Sequence, residues 1–283
     1  MSRLSSEWLK HLPFQNVSEI SSVSGGDINE AYSIVADNKE YFMKVQPNKG
    51  KQFFEHEVEG INKLSERCLT PQIVTYGEID GDGYLIQNWL DLSHIGDQNK
   101  LGKLLANVHH EIGSNFGLNH NFDLGKIPKN NHWQDSWSSF FIDQRLAPLI
   151  QRAIDQGLIN NNELDKFNNV INSFKIDMKS HKSVPSILHG DLWSGNFSFV
   201  NGEPILIDPD VFYGDREFDI GVSTVFGGFN SEFYESYNQN FPLDEGWQHR
   251  IKYYQLYYLT AHLVMFGQMY LPSVISILDQ LWI

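Results

Sequence analysis

The spacing of hydrophobic positions changes along the chain. Ser18 to Ser24, Glu30 to Ala36 and Glu40 to Gln46 read as short extended runs, the last two joined by an Asp37-Asn38 turn. A helical pattern follows from about Lys51 to Glu66. Two more strands are expected at Ile73 to Glu78 and Tyr84 to Trp89, joined by the turn-rich Asp80-Gly81-Asp82-Gly83. Two hairpin-like pairs around one helix predict a small α+β lobe over residues 1–90. From about Asn99 the period becomes helical. Leu101, Leu104, Leu105, Val108 and Ile112 fall on one stripe; so do Trp137, Phe140 and Phe141 with Leu146, Leu149 and Ile150, and then Leu164, Phe167, Ile171 and Phe174. Residues 113–134 have loop composition, Ile187 to Tyr213 reads as an island of strands and loops, and helices resume to the end. A larger, mostly helical lobe over residues 91–283 is therefore expected.

Composition narrows the partners. The chain has 283 residues and a net charge of −14, from 21 Lys and Arg against 35 Asp and Glu. Such a surface repels nucleic-acid phosphates and anionic lipid, so neither nucleic acid nor membrane is expected as a partner. It also repels a nucleotide unless a metal and a local Lys neutralise the phosphates. One cysteine, Cys68, excludes an internal disulfide and a Cys-based zinc site. The N-terminus lacks a signal-peptide pattern, and Leu259 to Leu271 is too short and too interrupted to span a bilayer, so a cytoplasmic location is expected.

The segment His189-Gly190-Asp191-Leu192-Trp193-Ser194-Gly195-Asn196 carries the chemistry. It fits the kinase catalytic-loop pattern H-x-D-L-x-x-x-N, with Gly190 where protein kinases place Arg. In that pattern the Asp accepts the proton of the attacking hydroxyl, and an Asn five residues later gives a neutral oxygen to magnesium. Asp191 is the expected base and Asn196 a metal ligand. Ile205-Leu206-Ile207 is a short apolar strand ending in Asp208-Pro209-Asp210, reached through an Asn201-Gly202 turn. A carboxylate there is the second metal ligand. Asp208 is the choice and Asp210 the alternative.

Such a site needs a Lys on a strand and a Glu on the next helix to hold the phosphates of ATP. Tyr41-Phe42-Met43-Lys44-Val45 sets Lys44 in an apolar strand. Glu55, Glu57 and Glu59 compete for the acid. At about 100° per residue, only Glu57 falls among Phe54, Val58, Ile61 and Leu64. A carboxylate on that stripe needs a partner, and Lys44 is the natural one. The Ser24-Gly25-Gly26-Asp27-Ile28-Asn29 turn lies where a phosphate-covering loop would sit but is neither G-x-G-x-x-G nor a Walker A sequence. Gln87, Asn88 and Trp89 lead out of the small lobe and would recognise adenine through their main chain. In Gly214-Asp215-Arg216-Glu217-Phe218-Asp219, bracing and capping suit Glu217 and Asp219, while Asp215 stays a candidate for contacting a cationic substrate. Trp193 either walls the acceptor pocket or anchors the loop by burial. The histidines at 109, 110, 120 and 132 show no ligand pattern.

These strings together resemble the fructosamine kinase (ketosamine 3-kinase) family, in the aminoglycoside-phosphotransferase-like branch of the kinase fold. The likeness rests on HGDLWSGN with its following hairpin and Asp-Pro, on Tyr213-Gly214-Asp215-Arg216-Glu217, on Phe42-Met43-Lys44-Val45, on Trp137-Ser138-Ser139-Phe140-Phe141 with Arg145-Leu146, and on Phe226-Gly227-Gly228-Phe229. It extends over nearly the whole chain. It implies a bilobal, protein-kinase-like α+β fold, ATP and Mg2+ as cofactors, and phosphorylation of the sugar 3-hydroxyl of ketoamines. It further implies Asp191 as proton acceptor, Asn196 and Asp208 as metal ligands and 87–89 as the adenine site. Two departures stand out. Asp27 occupies a position where many members carry Cys, which removes thiol-based regulation there. Gln87-Asn88 replaces a common Met-Glu pair, which bears on nucleotide preference.

Overall fold

The computed structural model describes residues 4–23, 29–124 and 127–282. The expected phosphate-covering turn, residues 24–29, lies outside them except for Asn29. The chain divides into two compact units: Met1–Gly96 with Ser198–Asp208, and Asp97–Phe197 with Pro209–Ile283.

The first unit is built on a five-stranded antiparallel sheet of order β1-β2-β3-β5-β4, with β1 at Val17–Ser22, β2 at Glu30–Ala36, β3 at Lys39–Gln46, β4 at Ile73–Ile79 and β5 at Asp82–Asn88. Asp37 and Asn38 both take positive φ, as a two-residue hairpin turn requires, and so do Asp80 and Gly81 in the equally short turn between β4 and β5. Alternation along the strands sorts their side chains. Tyr32, Ile34, Met43, Val45, Tyr84 and Ile86 pack on one face with Trp8 and Leu12, Trp8 belonging to helix α1 (Ser6–Leu9). Leu85 packs on the other with Phe54 and Val58 of helix α2 (Gln52–Ser65).

The hairpin of β9 (Phe197–Val200) and β10 (Glu203–Leu206) turns on Asn201 and Gly202, both at positive φ. Its membership of this unit differs from the boundary at residue 90 that sequence periodicity suggests. The reason is hydrogen bonding: Ser93 and Phe199 exchange two main-chain bonds at 2.9 Å, and the Leu206 N–H donates to the Leu69 carbonyl at 3.1 Å.

The second unit is largely helical. It contains α3 (Gln98–His109), α4 (Trp137–Phe141), α5 (Ala147–Asp155), α6 (Asn161–Ser180), α7 (Glu217–Ser223), α8 (Ser231–Asn240), α9 (Trp247–Phe266) and α10 (Leu271–Leu281). Strand β8 (Pro185–Leu188) pairs antiparallel with β11 (Phe212–Asp215). Within 113–134, where loop composition is expected, lies a short hairpin of β6 (Phe122–Leu124) and β7 (Ile127–Lys129). A π-helical turn, Ile142–Leu146, joins α4 to α5. It absorbs the five-residue step from Phe141 to Leu146, so both apolar clusters of that sequence stripe reach one core.

Trp137 lies near the centre of that core. Its ring stacks with Phe140, Phe141 and Phe212, and its indole N–H donates to the Tyr254 hydroxyl at 2.9 Å. Arg145 is buried beside it, against the rings of Phe140 and Phe212. Its guanidinium donates to the carbonyls of Asn130 and Gln144 and to the Asn131 side chain. Burial lowers Arg145 to about 10. No helix among the described residues is long and apolar enough to cross a membrane.

Candidate active site

In the first unit the pleat of β3 sends Lys44 to the α2 side of the sheet, away from Met43 and Val45. Lys44 is buried, and its Nζ donates to Glu57 Oε1 at 2.8 Å and to Asp208 Oδ1 at 2.7 Å. The helix phase that singles out Glu57 is thus realised in an ion pair, while Glu55 is exposed and Glu59 faces Lys63. Burial alone would lower the Lys44 ammonium, but Asp208 and Glu57 override it and hold it above its usual value. Burial raises the Glu57 carboxyl, with Lys44 opposing. Asp208 follows β10 with φ of 51°, in the left-handed region that costs a non-glycine residue energy. Its side chain is 46% exposed and keeps one carboxylate oxygen clear of the Lys44 bond.

The catalytic-loop segment is fixed within the second unit. Gly190 has φ of 82°, and a Cβ there would strike the Asp210 carbonyl, which accounts for Gly where protein kinases place Arg. Asp219 is fully buried at the third position of α7. Its Oδ2 accepts from the His189 N–H at 2.7 Å, and its Oδ1 accepts from the Gly190 N–H at 2.9 Å. His109 of α3 bridges Asp219 Oδ2 at 3.1 Å and the Tyr237 hydroxyl at 2.8 Å. Burial lowers His109, so the ring is neutral; Nε2–H then donates to Asp219 and Nδ1 accepts from the tyrosine. The bracing role expected for Asp219 is present, and His109 is part of it.

Asp191 is held at both oxygens. The Asn196 Nδ2 donates to Asp191 Oδ2 at 3.0 Å and to the Asp191 carbonyl at 2.8 Å, and the Tyr258 hydroxyl donates to Oδ1 at 2.7 Å. Because the Asn196 amide nitrogen is spent on Asp191, its carbonyl oxygen Oδ1 is the atom left to act as a ligand. An amide oxygen here and a carboxylate oxygen at Asp208 are hard donors of the kind magnesium takes. Behind the loop, the ring of Trp193 folds over Gly195, where a Cβ would collide with it. Trp193 remains 36% exposed and is not enclosed in the helical core. Gly228 fits against Ser194 in the same way, and Phe229 packs on Phe197 with ring centroids 4.7 Å apart. The Phe226–Phe229 string therefore supports this loop.

Three candidates have partners within the protein. Asp210, the alternative metal ligand, is buried and ion-paired with Lys129 of β7, and its N–H donates to the His189 carbonyl. Asp215, the candidate for a cationic substrate, is buried and accepts from the Glu217 N–H at 2.9 Å, with His181 Nε2 2.6 Å away. It caps α7, and the neighbouring Glu217 takes a two-pronged bond from Arg250. In the connector, the Asn88 N–H donates to the Gln72 carbonyl at 3.0 Å, and the Gln72 N–H donates to Asn88 Oδ1 at 2.6 Å. That clasp uses inside the sheet the amide that Asn88 would offer an adenine. Gln87 is also a strand residue, flanked by β3 and β4, whereas Trp89 is the first residue past β5.

Sequence reasoning does not find Tyr258 or Lys129. Tyr258 lies in α9 among Tyr253, Tyr254 and Tyr257, where an aromatic side chain signals core packing. Lys129 lies in a segment of loop composition.

With the geometry in place, comparison with known proteins gives a consistent result. The family model described as fructosamine kinase matches residues 1–283. A "probable ketoamine kinase" of Lactiplantibacillus plantarum is 45% identical over 278 residues, covering 98% of this chain and 99% of the relative. A crystal structure from Haemophilus somnus 129PT that carries a fructosamine-3-kinase designation superposes with a TM-score of 0.86 at 27% identity, covering 95% of this chain and 92% of the other. The aminoglycoside phosphotransferase APH(4)-Ia, in a ternary complex with AMP-PNP and hygromycin B, shares the fold alone. Its TM-score is 0.67 at 13% identity, over 95% and 94% of the two chains.

Proposed function

This chain belongs to the fructosamine kinase family, and we propose that it transfers the γ-phosphoryl group of ATP to a sugar hydroxyl, the 3-hydroxyl, of a ketoamine formed by glycation of an amine. The observation that carries this reading is Asp191 held by Asn196 and Tyr258 in a loop braced by Asp219. A carboxylate oriented at both oxygens is suited to align an acceptor hydroxyl and take its proton. Lys44, kept charged by Asp208 and Glu57, is the cation for the nucleotide's phosphates. Asn196 Oδ1 and the Asp208 carboxylate are the atoms that would hold magnesium, which neutralises phosphate charge when bound. Trp89 is the connector residue left to meet the adenine through its main chain, and Trp193 is the wall for the acceptor sugar or its amine substituent.

The balance of the reaction is that of any alcohol kinase. The acceptor O–H bond breaks, its proton passes to Asp191, the new O–P bond forms, and ADP leaves with the electrons of the old P–O bond. ATP consumption with a panel of synthetic fructosamines, ribulosamines and simple amino alcohols tests the reading, with the phosphate position read by NMR. Turnover confined to the ketoamines and a 3-phosphate product are expected. Asp191→Asn should abolish transfer and leave MgATP affinity within a few fold. Equal turnover of amino alcohols, or an Asp191→Asn enzyme of near-normal rate, would discard the assignment.

A further inference from the structure

We propose that the Gln87 side chain reads the nucleobase and selects adenine over guanine; the proposal rests on the reading of the protein as an ATP-dependent kinase. In the β3–β5 register Lys44 lies opposite Leu85 and Phe42 opposite Gln87. Side chains two apart on a strand share a face, so Gln87 stands on the same face of the sheet as the Lys44 ammonium. It is about 7 Å further along the strand, at the end that leads into the connector. Its cross-strand neighbours there are Phe42 on β3 and Ile73 on β4.

Gln87 is only 3% exposed, and its Nε2 is buried without a hydrogen-bond partner. Most buried side-chain amides find partners, because leaving one without any in apolar surroundings is unfavourable. A residue whose only task was to fill this part of the sheet would be better served by Met or Leu. The amide is instead suited to a ligand. Adenine presents an acceptor, N7, beside a donor, its N6 amino group, and a glutamine amide meets both at once. Guanine presents two acceptors, N7 and O6, on the same edge, so the amide oxygen of Gln87 would face another oxygen. Lys44 and the connector mark the phosphate and base ends of a nucleotide along this strand, and Gln87 stands at the base end.

The test measures binding of MgATP and MgGTP to the full chain by titration calorimetry, with no ketoamine present. Wild type, Gln87→Leu and Gln87→Met are compared, and melting curves without nucleotide check that each is folded. The wild type should bind ATP more tightly than GTP. Both apolar variants should reduce that preference about tenfold, mainly through weaker ATP binding, with a Tm equal to or above wild type. An unchanged ATP-to-GTP ratio in two folded variants would overturn the role of Gln87 and leave the kinase reading standing. A wild type that binds neither nucleotide would overturn that reading, and this inference with it.

Discussion

The hydroxyl of Tyr258 donates to Asp191 Oδ1 at 2.7 Å, so the side chain proposed as the base is oriented by a helix far away in sequence. Burial and the Asp191 charge both raise the tyrosine well above its usual value, which keeps it a donor. Each carboxylate oxygen retains a second lone pair, so a sugar hydroxyl can bind while Tyr258 and Asn196 keep their hold.

Tyr258→Phe keeps the ring and removes only this donor. A hydrogen bond to a charged acceptor contributes about 1.5–3 kcal/mol, so loss of orientation should lower kcat roughly tenfold or more. KM for ATP should stay within about twofold. Steady-state kinetics with one ketoamine decides it; an unchanged kcat would make the hydroxyl irrelevant to the base.

The two aspartates of Asp208-Pro209-Asp210 should part company on substitution. Asp208→Ala leaves Lys44 paired with Glu57, so Tm should change little while MgATP affinity and turnover fall together. Asp210→Ala removes the partner of the buried Lys129 amine, which burial pulls down to about 7, and the buried polar group left unpaired should lower Tm by several degrees. Calorimetric melts paired with nucleotide titrations distinguish the two. The reverse pattern would make Asp210 the ligand.

What sequence made legible was whatever depends on local chemistry. The turns at Asp37-Asn38 and Asn201-Gly202 follow from residues that tolerate positive φ, and Glu57 follows from helix phase. Asp191 and Asn196 are five residues apart, so their contact is written in one loop. Tyr258 and Asp191 are 67 residues apart, Lys129 and Asp210 are 81 apart, and His109 and Asp219 are 110 apart. No periodicity links such partners, because tertiary packing brings them together. Asp215 misled for a related reason: a carboxylate near a motif looks available until His181 is found against it.

Glu57→Ala should lower kcat/KM at least tenfold more than Glu55→Ala or Glu59→Ala. Only Glu57 touches Lys44, and its loss leaves Asp208 as the sole carboxylate on a buried ammonium. The comparison within one helix controls for propensity, since all three substitutions put the same residue on α2. Equal losses across the three would remove the pair from the mechanism.

A fourth expectation concerns pH. His181 Nε2 lies 2.6 Å from Asp215 Oδ2, and the Asp244 carboxylate is 3.2 Å from Nδ1. Burial pulls the imidazole down, but Asp215, with Glu217 adding to it and Arg250 opposing, leaves its folded value raised. Burial pushes Asp215 up, yet His181, Ser183 and the Glu217 N–H bring it below the ordinary carboxylate value. A raised histidine binds its proton more tightly in the folded state. Its stabilisation is fully present below the unfolded value of about 6.5 and is lost as pH rises through the folded one. Asp215 acts at the other end, with stability lost as pH falls through its own lowered value. Tm should therefore pass through a plateau on the acid side of pH 6.5 and decline above it. His181→Gln cannot carry the charge, so its melting temperature should lack that decline while keeping the fall in strong acid. Parallel Tm-against-pH curves for the two proteins above pH 6.5 would show that the alkaline loss comes from another group.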